Sequence, residues 1–379
     1  MAINVFVPKF HTDEILAEIK ECLDKGWTGL GFKTVAFEEK WKEYTGLPHA
    51  HFLNSNTSGL HLAINILKNS GNWKDGDEVV TTPLTFVSTN HAIHYENLKP
   101  VFADVDEYLC LDPKSVEKLI SPRTRAVMFV GIGGNTGRYT EIEELCRRKN
   151  LKLITDAAHM SGTRLNGEIA CKGSDVLIYS FQAVKNLPSA DAGMICFKEK
   201  ELDSLARQLS WLGISKDTYE RFNKQEGSYK WYYDVPNVGF KYHGNSIIAS
   251  LAIVQLKYLD EDNNRREELA QRYIHELENE SQAEIIRIAP GCESSRHLFQ
   301  IMVNNRDKVM QFFYDNQIYP GVHYIDNTNY PMYKYAYGTC PNAHRASEML
   351  ISLPLHLNMT ENDIDKVVEV LKDALKKVK

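Results

Sequence analysis

Asp175-Val-Leu-Ile-Tyr-Ser-Phe-Gln-Ala-Val-Lys-Asn-Leu-Pro-Ser-Ala-Asp-Ala-Gly-Met-Ile-Cys-Phe197 sets one lysine between two short apolar runs. The runs 176–179 and 194–197 have the length of buried strands, and the polar, Gly- and Pro-containing loop between them holds Lys185. An ammonium group is strongly hydrated. A site that desolvates it lowers its pKa and frees the amine to attack a carbonyl. Lys185 therefore reads either as a Schiff-base nucleophile or as a loop amine facing water, and the rest of the chain has to decide.

Working outward, residues 151–162 read as a strand that ends at Asp156, followed by Ala-Ala-His159. Open α/β sheets bind ligands at the carboxyl ends of their strands. A carboxylate there either holds a protonated ring nitrogen or caps the next turn, and His159 bonds the same ligand or the backbone. Residues 51–67 read as strand, hydroxyl-rich turn and helix, with Thr57 and Ser58 where free N–H groups and the positive end of the helix dipole meet. That is a phosphate seat, or ordinary N-capping by the same residue types. Residues 77–93 repeat the pattern with Phe86 in the turn, placed to stack on a planar ring or to pack. Further strands follow at 100–106 and 125–131. The glycine cluster 131–137 is not a dinucleotide fingerprint, since Thr136 stands where the third glycine belongs. Strands alternating with helices from about 50 to 200 predict an α/β fold with a mostly parallel sheet and helices on both faces.

Helices are expected over 12–24, with Ile15, Ile19 and Leu23 inward; over 33–45, with Val35, Phe37 and Trp41 inward; and over 140–149. Between the first two, Trp27-Thr-Gly-Leu-Gly31 predicts a turn whose backbone passes close to something. The last third reads as a charged surface helix over 258–277, strand, helix and strand over 284–325, and a terminal helix over 361–379 with Ile364, Val367, Val368 and Leu371 on one face. This predicts a large α/β domain over 1–245 and a smaller α+β domain over 246–379. The aromatic stretches 231–235 and 330–337 suit packing, an interface or a saccharide platform.

Composition bounds the function. The 379 residues carry a net charge of −6, which argues against nucleic acid or an anionic membrane as partner. Seven scattered cysteines without a Cys-x-x-Cys read as reduced thiols, so neither a disulfide framework nor a metal site is expected. No export signal or spanning run is visible, and a cytoplasmic location is expected.

Lys185 in Ser180-Phe-Gln-Ala-Val-Lys-Asn-Leu, Asp156-Ala-Ala-His, Thr57-Ser58 and Phe86 in Thr-Pro-Leu-Thr-Phe-Val-Ser together resemble the fold-type I pyridoxal phosphate enzymes. More narrowly they resemble the sugar aminotransferases of the DegT/DnrJ/EryC1/StrS group. Gly26-Trp-Thr-Gly-Leu-Gly, Gly321-Val-His-Tyr and Ser352-Leu-Pro-Leu-His extend the likeness nearly end to end. The resemblance implies a seven-stranded-type sheet and a pyridoxal 5'-phosphate cofactor that alternates with its pyridoxamine form. It makes Lys185 the internal aldimine and proton shuttle, Asp156 the partner of the pyridine nitrogen, Phe86 the stacking ring and His159 a neighbour of the 3-hydroxyl. Thr57, Ser58 and Ser180 would hold the phosphate, and Trp27, Gly29, Asn186, His323 and Tyr324 would face the substrate. L-glutamate is the implied donor and a keto- or aldehydo-sugar, free or nucleotide-linked, the acceptor. The setting implied is lipopolysaccharide, O-antigen or other amino-sugar biosynthesis, in a homodimer with shared active sites. Some relatives are dehydratases with His at the lysine position, and a non-catalytic cofactor-binding protein is a further alternative; Lys185 argues against both. The chain departs from the family pattern at Asn56, where Gly is usual, at Ser58, where Ala is usual, and at Lys241, where an Asn reaches the neighbouring subunit's phosphate. Ile132-Gly-Gly-Asn-Thr-Gly137 likewise replaces a His-Leu-Tyr-Gly-Gln-Pro stretch beside the substrate.

Overall fold

The apolar runs of the first half become one sheet. The structure, a computed structural model, describes residues 2–215 and 233–378. Seven strands lie in the order His51–Leu53, Gly193–Phe197, Val176–Ser180, Lys152–Asp156, Thr124–Val130, Glu78–Thr81, Lys99–Phe102. All neighbours are parallel except Gly193–Phe197, which runs antiparallel to both of its partners. Helices cover both faces, so the inner strands are buried along their length and read as continuous apolar runs without alternation.

The antiparallel strand explains the lysine loop. Ser180 pairs with Gly193, so residues 181–192 form a wide hairpin at the sheet's ligand-binding edge. Phe181 N–H donates to Ala192 O (2.9 Å), and Ser189 N–H donates to Phe181 O (2.8 Å). Buried Phe181 and Leu187 anchor the loop, Phe181 packing edge-on against Phe37 and Trp41. Lys185 is thus carried by a fixed loop.

The first two helices form over Thr12–Asp24 and Phe32–Thr45, but their buried faces differ from expectation. Ile15 and Cys22 are buried while Leu23 is 61% exposed, and Phe37 and Trp41 are buried while Val35 is 43% exposed. Both helices pack on Ser246–Leu256, which joins the core of the large sheet through Ala249, Ala252 and Ile253.

A second apolar cluster surrounds the antiparallel sheet Ala283–Ile285, Phe299–Val303 and Leu350–Leu353. Leu259–Leu277, Arg306–Asp315 and Glu361–Lys377 supply its helical cover. The terminal helix buries Ile364, Val367, Val368 and Leu371 as its periodicity predicts, behind a capping box of Thr360 and Asp363. Such caps contribute about 1 kcal/mol. Ile3 pairs with Ile318 and belongs to this second cluster. Of the aromatic stretches, 231–232 lies outside the described residues; in the other, Tyr333 is buried and Tyr335 and Tyr337 are exposed. The cysteines are free thiols, and no described helix is long and apolar enough to cross a membrane.

Candidate active site

The carboxyl ends of the parallel strands, the lysine hairpin and two helix starts enclose a cavity of about 430 Å³. Asp156, the last residue of its strand, lies in its wall, 4% exposed. Burial raises its pKa. Opposing that, Thr89 Oγ1 donates to Oδ2 (2.7 Å), Ala158 N–H (3.1 Å) and Asn56 Nδ2 (3.2 Å) donate to Oδ1, and the Lys185 charge lies nearby. Hydrogen bonds to a charged group are worth about 1.5–3 kcal/mol each, and three of them favour the carboxylate form.

Lys185 shares the cavity. Its side chain is only partly screened, because the cavity opens beside it. Even so, enough protein surrounds the amine that burial draws its pKa down to about 8, against the opposing pull of Asp156. A free base is therefore accessible near neutral pH at an atom placed to meet a carbonyl.

At the start of the helix Asn56–Ser70, Ser55 is the cap, its Oγ accepting from Ser58 N–H. Ser55, Thr57 and Ser180 line the cavity at this helix start. Ser58 does not: its hydroxyl is spent on Asn54 Oδ1 (2.7 Å) and Ser55 O (2.8 Å). The hydroxyl predicted at Ser58 is supplied by Ser55 instead. Phe86, at the start of Val87–Tyr95, presents a ring that is 58% exposed along the cavity.

A further part of the wall is built of neutral imidazoles and a phenol. His159, His297, His323 and Tyr324 all line the cavity. His159 Nδ1 accepts from Gly133 N–H (3.1 Å), and its Nε2 meets Tyr324 Oη (3.0 Å). Burial, reinforced by the Lys185 charge, holds His159 well below the usual imidazole pKa and brings His323 to about 4.

Several expected substrate contacts lie elsewhere. Asn186 is buried beside the cavity and its amide is committed: Nδ2 donates to Asn263 Oδ1 (2.7 Å) and Ser295 O (2.5 Å), leaving Oδ1 to accept from His297 Nδ1 (3.0 Å). It positions His297 and does not line the cavity itself. Trp27 and Gly29 are not among the lining residues either. Trp27 Nε1 donates to Leu30 O (2.7 Å), a Cβ at Gly31 would meet that ring at 1.9 Å, and Gly29 O accepts from Ser246 N–H (2.8 Å). The close approach read from the glycines is real, but its partner is the indole and the next helix. Lys241 Nζ sits 3.3 Å from the Trp211 ring centroid, also outside the cavity of its own chain.

Sequence reasoning missed His297, Phe6 and Ser55. Ser55 could have been found as the residue before the helix, the ordinary N-cap position. Nothing local marks His297 or Phe6, whose rings stack 5.3 Å apart although about three quarters of the chain separates them in sequence.

A partly desolvated amine, a donor-supported carboxylate and hydroxyls at a helix start, gathered at the carboxyl edge of a mostly parallel sheet, define an α/β enzyme that works on a carbonyl compound bearing a phosphate. The same set matches a phosphorylated pyridine aldehyde group by group: amine for aldehyde, carboxylate for ring nitrogen, hydroxyls for phosphate. The chain belongs to the DegT/DnrJ/EryC1/StrS aminotransferase family, whose model matches residues 10–372, and it is an enzyme of the aminotransferase class. It is 33% identical over 375 residues to the spore coat polysaccharide biosynthesis protein SpsC of Bacillus subtilis, covering 96% of this chain and 95% of that one. Among solved structures it is similar to the aminotransferase TlmJ from Streptoalloteichus hindustanus, with a TM-score of 0.91, 30% identity and full coverage of both chains. The sugar aminotransferase Spr1654 from Streptococcus pneumoniae, described as putative and solved in a PLP form, matches at a TM-score of 0.91 and 25% identity over all of both chains.

Proposed function

We propose that this chain is a pyridoxal phosphate-dependent aminotransferase that moves the amino group of L-glutamate onto a keto- or aldehydo-sugar. The observation that carries the reading is the pairing of Lys185, its pKa drawn down to about 8, with the buried carboxylate of Asp156 in one cavity. The bound cofactor supplies an electron sink for the carbon that loses or gains a proton. Asp156 would hold the ring nitrogen protonated, Phe86 would stack on the ring, and Ser55, Thr57 and Ser180 with the helix start would hold the phosphate. Lys185 would anchor the cofactor through its amine and, when that amine is free, would serve as the group that holds and moves the proton.

The sugar is supported by the character of the wall formed by His159, His297, His323 and Tyr324, which is polar without fixed charge and so suits an uncharged, hydroxyl-bearing ligand. A setting in cell-surface polysaccharide assembly is supported by the likeness to SpsC. A division into a larger and a smaller domain, read from the sequence as 1–245 and 246–379, is supported by the separate apolar cluster around the antiparallel sheet, although the cluster of the large sheet runs past 245 through Ala249 to Leu259 and Tyr333 to Leu350, and Ile3 joins the smaller one. A cytoplasmic homodimer, with Lys241 meeting the phosphate bound by the other subunit, completes the reading; the position of Lys241 outside the cavity of its own chain supports it.

The test is transfer of ¹⁵N from labelled L-glutamate to keto-sugars, followed by mass spectrometry of the sugar product. Labelled amino sugar is expected, and Lys185→Ala should lower its formation by roughly a thousandfold or more while leaving the circular dichroism unchanged. Turnover by that variant near the parent rate overturns the assignment.

A further inference from the structure

We infer that a second, smaller void beside the lysine hairpin is a binding site for a monovalent anion of halide size, held by Arg266 and His356. Its walls are the segment 6–9, hairpin residues 184–186 and 188, Arg266 and residues 356–357. Phe6, Val184 and Lys185 also line the larger cavity, whereas Arg266 and His356 do not. The site is therefore independent of the functional reading above.

The argument is one of unpaired groups. Arg266 lies on the helix Leu259–Leu277 and is 6% exposed. Burial draws its pKa down to about 10, against the pull of Asp262, which still leaves a guanidinium at neutral pH. Asp262 stands one turn back on the same helix, and among the described residues Arg266 makes no ion pair with it or with any other carboxylate. Nη1 donates to Leu355 O (3.1 Å), but Nε is buried and meets no acceptor among the described residues. Taking a cation out of water without a partner is costly, so folds pair such groups.

His356 Nδ1 is the second buried atom at this void without a partner among the described residues. Burial and the Arg266 charge hold the ring below the usual imidazole pKa, against Asp363 and the Asn4 carbonyl, so it is neutral with one proton to give. A guanidinium Nε–H can only donate. An occupant that accepts from Nε, and from His356 with its proton on Nδ1, satisfies both residues at once. A water molecule would take the hydrogen bonds but leave the charge uncompensated.

Size and potential narrow the ligand further. The void measures about 10 Å³, space for one occupant about the size of a water molecule, which admits a chloride ion and excludes a carboxylate, sulfate or phosphate. Lys9, Lys185 and Arg266 line it and no Asp or Glu does, so the potential inside is positive.

The test is ³⁵Cl NMR of the purified full chain in sodium chloride, parent against Arg266→Gln. Chloride exchanging with a site on the protein broadens the resonance. The parent should broaden it more than the variant does, and bromide should remove that excess while sulfate at equal ionic strength should not. Equal line widths in parent and variant overturn the inference, and so does displacement by sulfate as effective as by bromide. Should Arg266→Gln fail to fold, crystals of the parent soaked in sodium bromide decide: an anomalous bromine peak within hydrogen-bonding distance of Arg266 Nε and His356 Nδ1 is expected, and no peak there overturns the inference.

Discussion

At Lys185 the depressed pKa of about 8 has a direct kinetic consequence. Only the free amine attacks an aldehyde, so the rate at which cofactor-free protein takes up pyridoxal phosphate should rise about tenfold per pH unit below 8 and level off above it. An unperturbed lysine, titrating near about 10.4, would keep gaining well past that point. Stopped-flow absorbance over pH 6 to 10 measures this, and a rate still climbing at the alkaline end contradicts the burial of the amine. Asp156 was legible in the sequence because it stands at the end of an apolar run, whereas Lys185, in a polar loop between two such runs, was legible only once its neighbours Asp156, Thr57 and Phe86 were read with it. His297 and the Gly133–His159–Tyr324 chain were not, because they are contacts across 26 to 165 residues of sequence. Ser58 and Asn186 have the right residue types in the right places, yet their donors are consumed by Asn54, Ser55, Asn263 and Ser295.

At the scale of elements, helix existence follows from periodicity while the buried face depends on the partner. At 3.6 residues per turn, Cys22 lies about 20° round the helix from Ile15 whereas Leu23 lies about 80° round. The helix's main neighbour Ser246–Leu256 covers a stripe that leaves Leu23 exposed. Val35 is likewise about 160° from Phe37 and could not share its face. The prediction is asymmetric. Phe37→Ala, which empties a site ringed by Trp41, Phe52 and Phe181, should cost about 3–5 kcal/mol. Val35→Lys should stay within about 0.5 kcal/mol of the parent. Urea midpoints of the two variants measure it, and equal losses would contradict the packing described for Phe32–Thr45.

For the whole molecule, alternating strands and helices foretold the parallel sheet, but not its strand order or the reversal at Gly193–Phe197, because burial on both faces leaves an apolar run no directional mark. The pairing of Ile3 with Ile318 was equally hidden, since a two-residue strand has no pattern of its own. That architecture matters because it closes a cavity from both ends of the chain: Phe6, the lysine hairpin, and the segment holding His323 and Tyr324. The central claim is that this cavity performs the donor half of an amino transfer, and the absorbance spectrum of the pyridoxal phosphate-loaded protein before and after L-glutamate tests it most directly. A visible-edge band that glutamate bleaches into the near-ultraviolet is the predicted result; a band that glutamate leaves unchanged contradicts it.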